Sequence, residues 1–394
     1  MRGSRSLVRG YRLAVLSSCV LASAPVEAQQ VGRAPVEVRV PIAPTAAMAL
    51  GRVHLVYEVH LTNFGGSALT FERLEILDGQ QNVFESRSGA QLAQLTAVLG
   101  APAGIPRAAP VLPPGARSVS YLWVSLAPGR SAPDSLSHRL TFSNAGADPV
   151  TFSTSPLVVR AASSPSIAAP VGGGPWVAVR GPSNSSGHRV SLVASGGEVR
   201  VPQRFAVDWA RIGDDGRLFS GDPAQLSSWY GYGATVHAVA GGTVVRVRDG
   251  AADNTPLSIT PPTVIEADDA TGNVVVIDLG NGRFATYAHL KAGSMSVAEG
   301  DRVVEGQALA RIGNSGNSLA PHLHFHVNDT QEPLGGEGLP VPFRRFNLIG
   351  RVTSVPALLS GTAWIANAAQ PARAVAGEIP LENMVVRFDV EGRD

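Results

Sequence analysis

Between residues 36 and 160, apolar and polar side chains alternate with a period of two. In the run 53–61, Val53, Leu55, Tyr57, Val59 and Leu61 share one face, while His54, Glu58 and His60 share the other. This is the pattern of a strand with one face on a core. Asn63-Phe-Gly-Gly66 reads as a turn, and a second strand is expected over 69–77. The runs 118–126 and 138–142 repeat the theme. Short strands at this spacing predict an antiparallel sandwich of immunoglobulin-like shape over residues 31–160, without a disulfide. His54, His60 and His138 are expected to be polar residues of strand faces with no functional role.

Residues 161–174 are rich in Ser, Ala, Pro and Gly and read as a linker. Beyond it strands resume. The stretch 234–247 reads as a hairpin around a glycine turn, and 273–279 with 283–290 as another around Gly280-Asn-Gly282. A turn-rich repeat at 299–306 leads into a strand over 307–312. A last strand is expected over 385–390. The chain is thus all-β, with an N-terminal sandwich, a linker, a second β domain over 175–335 and a C-terminal extension over 336–394. Gly 43 and Pro 29 in 394 residues favour short strands and many turns over long helices.

The first 28 residues carry an export signal. Arg2, Arg5, Arg9 and Arg12 precede a short apolar run starting at Leu13, and Val26-Glu-Ala28 offers small residues for cleavage. The run is well short of the roughly 20 residues that span a bilayer. An exported protein, periplasmic or extracellular, is expected. Cys19 is the one cysteine. It is either a discarded signal-peptide residue or, in Leu16-Ser-Ser-Cys19, a lipidation site that would tether the chain to a membrane. Loss of the signal leaves no thiol for catalysis or disulfides. Lys+Arg 32 against Asp+Glu 31 gives a net charge of +1, which provides no field for nucleic acid.

The most informative segment is 313–327, Gly-Asn-Ser-Gly-Asn-Ser-Leu-Ala-Pro-His-Leu-His-Phe-His-Val. On a strand, His322, His324 and His326 project to one face, and Leu323, Phe325 and Val327 to the core. Two imidazoles roughly 6–7 Å apart on a rigid strand can point into one cleft. His289 ends another predicted strand, and Asp208 lies in Phe205-Ala-Val-Asp-Trp209. Histidine, carboxylate, a further ligand and an open position are what a catalytic zinc requires.

Residues 230–327 resemble the lysostaphin-type (LytM-like, duplicated-hybrid-motif) zinc endopeptidases, which cut peptide cross-bridges of peptidoglycan. The resemblance rests on the run 233–245, Tyr287-Ala-His-Leu290, Val303-Val-Glu-Gly-Gln307, Gly313-Asn-Ser-Gly316 and Pro321-His-Leu-His-Phe325. It implies a lysostaphin-type antiparallel β domain with zinc as cofactor and peptidoglycan or its peptides as substrate. It further implies that His324 and Asp208 are zinc ligands, and that His289 and His322 orient the attacking water or stabilise the oxyanion.

Two positions depart from the family pattern His-x-Gly-x-Asp: Arg204 stands where its first histidine ligand would be, and Ala206 replaces the glycine. A guanidinium cannot coordinate zinc. Three readings follow. His188, in Gly187-His-Arg189, replaces the missing ligand; or Asp208 and His324 alone hold a weakened site; or Arg204 pairs with Asp208 in an inactive module. His326 is either a further cleft residue or a bystander. The expected function is zinc-dependent endopeptidase action on cell-wall peptides. The alternative is an inactive wall-binding or regulatory module whose sandwich docks a protein partner. A carbohydrate-active enzyme ranks third, because no pair of cleft carboxylates is evident.

Overall fold

A computed structural model describes residues 35–100, 108–144, 146–161, 165–258 and 267–389. The expected export segment, with Cys19, and Val390 lie outside the described residues. Among those described, strands dominate and the helices are single turns or little more. The chain is all-β.

The N-terminal part is a sandwich. One sheet is built on the antiparallel pair Arg52–Asn63 and Arg117–Ser125, the other on Leu69–Asp78 and Ser135–Ser143. Leu55, Tyr57, Val59 and Leu61 from the first meet Phe71, Leu74, Ile76 and Leu140 from the second in a shared core. The period-two face at 53–61 is therefore the inward one. Its opposite face is not solvated, however. Val56 joins the core of the second domain, with Ala47 and Ala49 of the strand Thr45–Ala49. His54, Glu58 and His60 are buried too.

The second domain rests on one long antiparallel sheet. Among the described residues its strand order is Arg302–Val303, Gly242–Arg248, Asn273–Asp278, Phe284–Leu290, Leu323–Asn328, Val207–Arg211, Gly173–Ala178, Met384–Phe388, Phe346–Arg351 and Arg373–Val375. The last three come from the tail, which extends this sheet and seals the flank of its core with Phe346, Met384 and Phe388. Trp209 packs edge-on against Phe388, with ring centroids 5.2 Å apart.

Two local expectations fare differently. Asn273–Asp278 and Phe284–Leu290 do pair around Gly280-Asn-Gly282, whose three residues all take positive φ. That backbone suits glycine and is tolerated by asparagine. The stretch 234–247 does not form a hairpin. Thr235–His237 pairs with Ala308–Arg311 instead, and Gly242–Arg248 with Asn273–Asp278. Gly242 has Asp278 O 2.4 Å from where a Cβ would stand, so this glycine lets strands approach rather than turning the chain.

Candidate metal centre

Sheet register creates the site. Asp208 and His324 are direct cross-strand partners, and His324 also faces Ala288 on its other neighbour. Opposed residues hold their side chains about 5 Å apart on one face, so carboxylate and imidazole meet without any loop having to find its place. Leu323, Phe325 and Val327 anchor the strand from the opposite face. His289 follows Ala288 with φ 61°, a left-handed backbone rarely adopted by a residue with a Cβ. That turn swings its ring back over the sheet, 4.8 Å from the ring of His322 and 5.7 Å from that of His324.

His188 arrives separately, on the short turn Gly187–Val190. Its ring stands edge-on to that of His324 at 4.8 Å, and its Nε2 lies 3.5 Å from Asp208 Oδ2. The structure therefore brings together all five residues singled out from the sequence: His188, Asp208, His289, His322 and His324. Ligand atoms of His188, Asp208 and His324 lie within 4.8 Å of one another.

Hydrogen bonds around the rim dictate where the imidazole lone pairs point. A carbonyl only accepts, so the nitrogen facing it must carry the proton. His188 Nδ1 donates to Arg180 O (3.0 Å), His289 Nδ1 to Ser315 O (2.8 Å) and His322 Nδ1 to Ala320 O (2.7 Å). His326 Nε2 donates to Pro333 O (2.9 Å), so its Nδ1 accepts, at 2.9 Å, from His324 Nε2. His326 is thus no cleft residue; it sits behind His324 and sets its tautomer. With each ring neutral, the inner nitrogens that remain carry lone pairs; a second proton on a ring turns its inner nitrogen into a donor to Asp208. His324 Nδ1 lies 2.8 Å and His322 Nε2 3.5 Å from Asp208 Oδ1.

Lone pairs and a carboxylate so arranged repel unless a cation or a proton lies between them. Donors sharing a tetrahedral zinc, with bonds of about 2.0–2.2 Å, stand about 3.4 Å apart; His188 and His322 stand 3.5 Å from Asp208 and His324 2.8 Å, so the ion needs only His324 and the carboxylate to part slightly. Backbone carbonyls holding the outer nitrogens of ligating histidines are the usual support of such a centre. The donor set fits zinc.

Electrostatics follow from the same contacts. Burial opposes ionisation of Asp208, but His188 and His322, with hydrogen bonds from His322 and His324, hold its carboxyl well below the ordinary range. Burial pushes His289 well down, helped by the neighbouring His322 and His324. Burial also acts against His322, yet the Asp208 charge and the hydrogen bonds that His322 donates to Asp208 and to Ala320 O leave it raised.

The Gly313-Asn-Ser-Gly316 loop works through its backbone. Ser315 holds His289 by its carbonyl and ties its own hydroxyl to Leu290 O at 2.8 Å. Gly316 is packed with Gly272 N 2.5 Å from where a Cβ would be, at φ 72°.

Arg204 does not pair with Asp208. It turns away from the cleft, and its Nε and Nη2 bind Glu58 at 3.0 and 2.7 Å. Nη2 also binds Glu337 at 2.7 Å, and Nη1 donates to Gly338 O at 3.0 Å. Glu58 belongs to the strand face of the sandwich whose partner was not visible in the sequence. The signal available there was Val56, an apolar residue on a nominally polar face.

Known proteins point the same way. Residues 229–335 match the model of peptidase family M23, a family of zinc metallopeptidases. Over 71 residues the chain is 37% identical to the DD-carboxypeptidase/endopeptidase Mpg of Neisseria meningitidis serogroup B, covering 18% of this chain and 16% of the relative. Over 71 residues it is also 34% identical to the peptidoglycan DD-endopeptidase ShyA of Vibrio cholerae serotype O1, with the same coverage. The match thus spans about a sixth of these curated relatives. Among solved structures, the catalytic domain of the antimicrobial peptidase lysostaphin from Staphylococcus simulans aligns with 41% of this chain and 86% of its own. It is 19% identical, with a TM-score of 0.23. His289, His322 and His324 fall inside the family match, whereas His188, Arg204 and Asp208 precede it. Residues 229–335 thus form a domain that matches peptidase family M23, the family that the lysostaphin resemblance of this region pointed to.

Proposed function

We propose that this protein is an exported zinc-dependent endopeptidase of the cell envelope that cleaves peptide cross-links of peptidoglycan. His188, Asp208 and His324 hold the ion, so that His188 replaces the histidine that Arg204 displaces. One observation carries the reading: the outer nitrogens of His188, His322 and His324 are all engaged at the rim, and their inner nitrogens stand 2.8–3.5 Å from one carboxylate, Asp208. The kinship with enzymes named as peptidoglycan DD-endopeptidases supports the substrate class.

Bound zinc supplies Lewis acidity for the scissile carbonyl and for a water molecule. His289 and His322 do the rest. Held neutral, His289 orients the attacking water by accepting its hydrogen bond and takes the proton it loses as its oxygen bonds the carbonyl carbon; that proton later replaces, through solvent, the one His322 gives up as the C–N bond breaks. His322, which retains a proton more readily, stabilises the developing oxyanion and passes a proton to the leaving amine; such assistance contributes roughly 10²- to 10⁴-fold. Asp208 stays ionised throughout and balances the charge.

The test is release of soluble muropeptides with new amino termini from purified peptidoglycan. Chelation should abolish it, zinc should restore it, and His322→Ala should lower kcat by at least about 100-fold. Absence of cleavage by the zinc-loaded protein, with peptidoglycan still sedimenting it, would favour an inactive wall-binding module instead.

A further inference from the structure

His188 is not positioned by the sheet that carries the other four residues. It rides on a four-residue turn, Gly187–Val190, and so short a turn has no stability of its own. Its place must come from anchors, and these lead to both ends of the chain. Ser183 and Ser185 donate to Glu382 Oε2 at 2.5 and 2.8 Å, tying the approach to the tail. Gly181 presses against Glu382, whose N is 2.7 Å from where a Cβ would stand. Asn184 Nδ2 donates to Tyr121 O of the sandwich at 3.0 Å.

The strongest anchor is the residue after His188. Arg189 is fully buried. Its Nη1 binds Glu58, and its Nη2 donates to Tyr57 O at 2.9 Å and Leu122 O at 3.4 Å. Its guanidinium lies 5.2 Å from the centre of the Tyr121 ring. Glu58 therefore joins two guanidiniums: Arg189 beside His188, and Arg204 four residues before Asp208. Both segments that deliver ligands from upstream are held by one carboxylate of the sandwich.

We infer that Glu58 is a positioning residue of the metal centre, holding His188 against Asp208 through Arg189, so that the sandwich completes the zinc site. This rests on His188 being a ligand. Two anchors, one main-chain and one side-chain, divide the work. The Arg180 carbonyl sets the tilt of the His188 ring, and the Arg189 fork sets the height of the backbone beneath it. Consecutive Cα atoms are about 3.8 Å apart, so the Arg189 fork bears directly on the backbone that carries His188.

Zinc affinity of the full-length protein, measured by competition with a chelator of known strength, tests this. Glu58→Gln should weaken binding by about 10- to 100-fold, as loss of outer support does at other zinc centres. That variant leaves Arg189 with a buried charge, so two companions are needed. Arg189→Lys keeps the charge without the fork, remains folded by circular dichroism, and should weaken zinc several-fold. Glu58→Gln combined with Arg189→Met removes both charges; thermal stability should recover and zinc affinity should not. If affinity returns with stability, the role is merely structural and the inference fails. If Glu58→Gln and Arg189→Lys bind zinc like wild type while His188→Ala does not, the inference fails and the ligand reading stands. If His188→Ala binds zinc like wild type, both fail.

Discussion

Arg204→His would restore the residue that the family pattern places four positions before the aspartate. If that position faced the ion, zinc binding should tighten. The structure predicts otherwise, because the Arg204 side chain points to Glu58, Glu337 and Gly338 O. Replacement deletes four charge-assisted contacts, leaves Glu58 to Arg189 alone, and leaves Glu337 only the Val201 N–H at 3.3 Å. Gross hydrogen-bond strengths would overstate the loss, since water partly replaces what is removed. Breaking one side of a buried ion pair typically costs about 3–5 kcal/mol, the range expected here. Urea unfolding followed by tryptophan fluorescence provides the assay, with chelator competition alongside it. The expected result is a destabilised protein whose zinc affinity is unchanged or weaker. Undiminished stability together with tighter zinc binding would refute this placement of Arg204 and remove the need for His188.

Two further outcomes follow from buried histidines. His326→Phe removes the acceptor that fixes His324 Nε2, and zinc affinity should drop by about 10- to 100-fold by chelator competition, with the strand still formed. His138 is buried against Tyr57 and held down to about 4 by desolvation. Unfolding returns it to the ordinary value near 6.5, so the unfolded chain binds the extra proton between these limits. Stability should therefore fall as pH drops from 6.5 to 4, by about 3 kcal/mol from this residue, and His138→Gln should flatten that slope in urea titrations at each pH.

Much of the centre was legible because it is local. His322-Leu-His324 alternates on one strand, the hydrophobic residues between them mark the inner face, and the glycine loop precedes them. Asp208 and His324 are far apart in sequence, yet strand register alone makes them neighbours. His188 was legible by elimination, as the histidine left upstream once Arg204 could not coordinate. The partner of Arg204 was not legible. It lies 146 positions away on a sandwich strand, and a buried glutamate has the same alternation as an exposed one. Only Val56 hinted that this face was covered. In the tail only the last strand was readable; Phe346–Arg351 and Arg373–Val375 are short and are stabilised by the sheet edge they extend rather than by their own pattern. Pairing of 234–247 failed because glycines serve close approach as well as turns.

The central claim is that His188 takes the place of the ligand that Arg204 displaced. Zinc K-edge X-ray absorption of the zinc-loaded full-length protein, beside His188→Ala, tests it directly. Two imidazoles and a carboxylate should surround the ion in the wild type, and the variant should lose one imidazole. Indistinguishable spectra from the two proteins would contradict it.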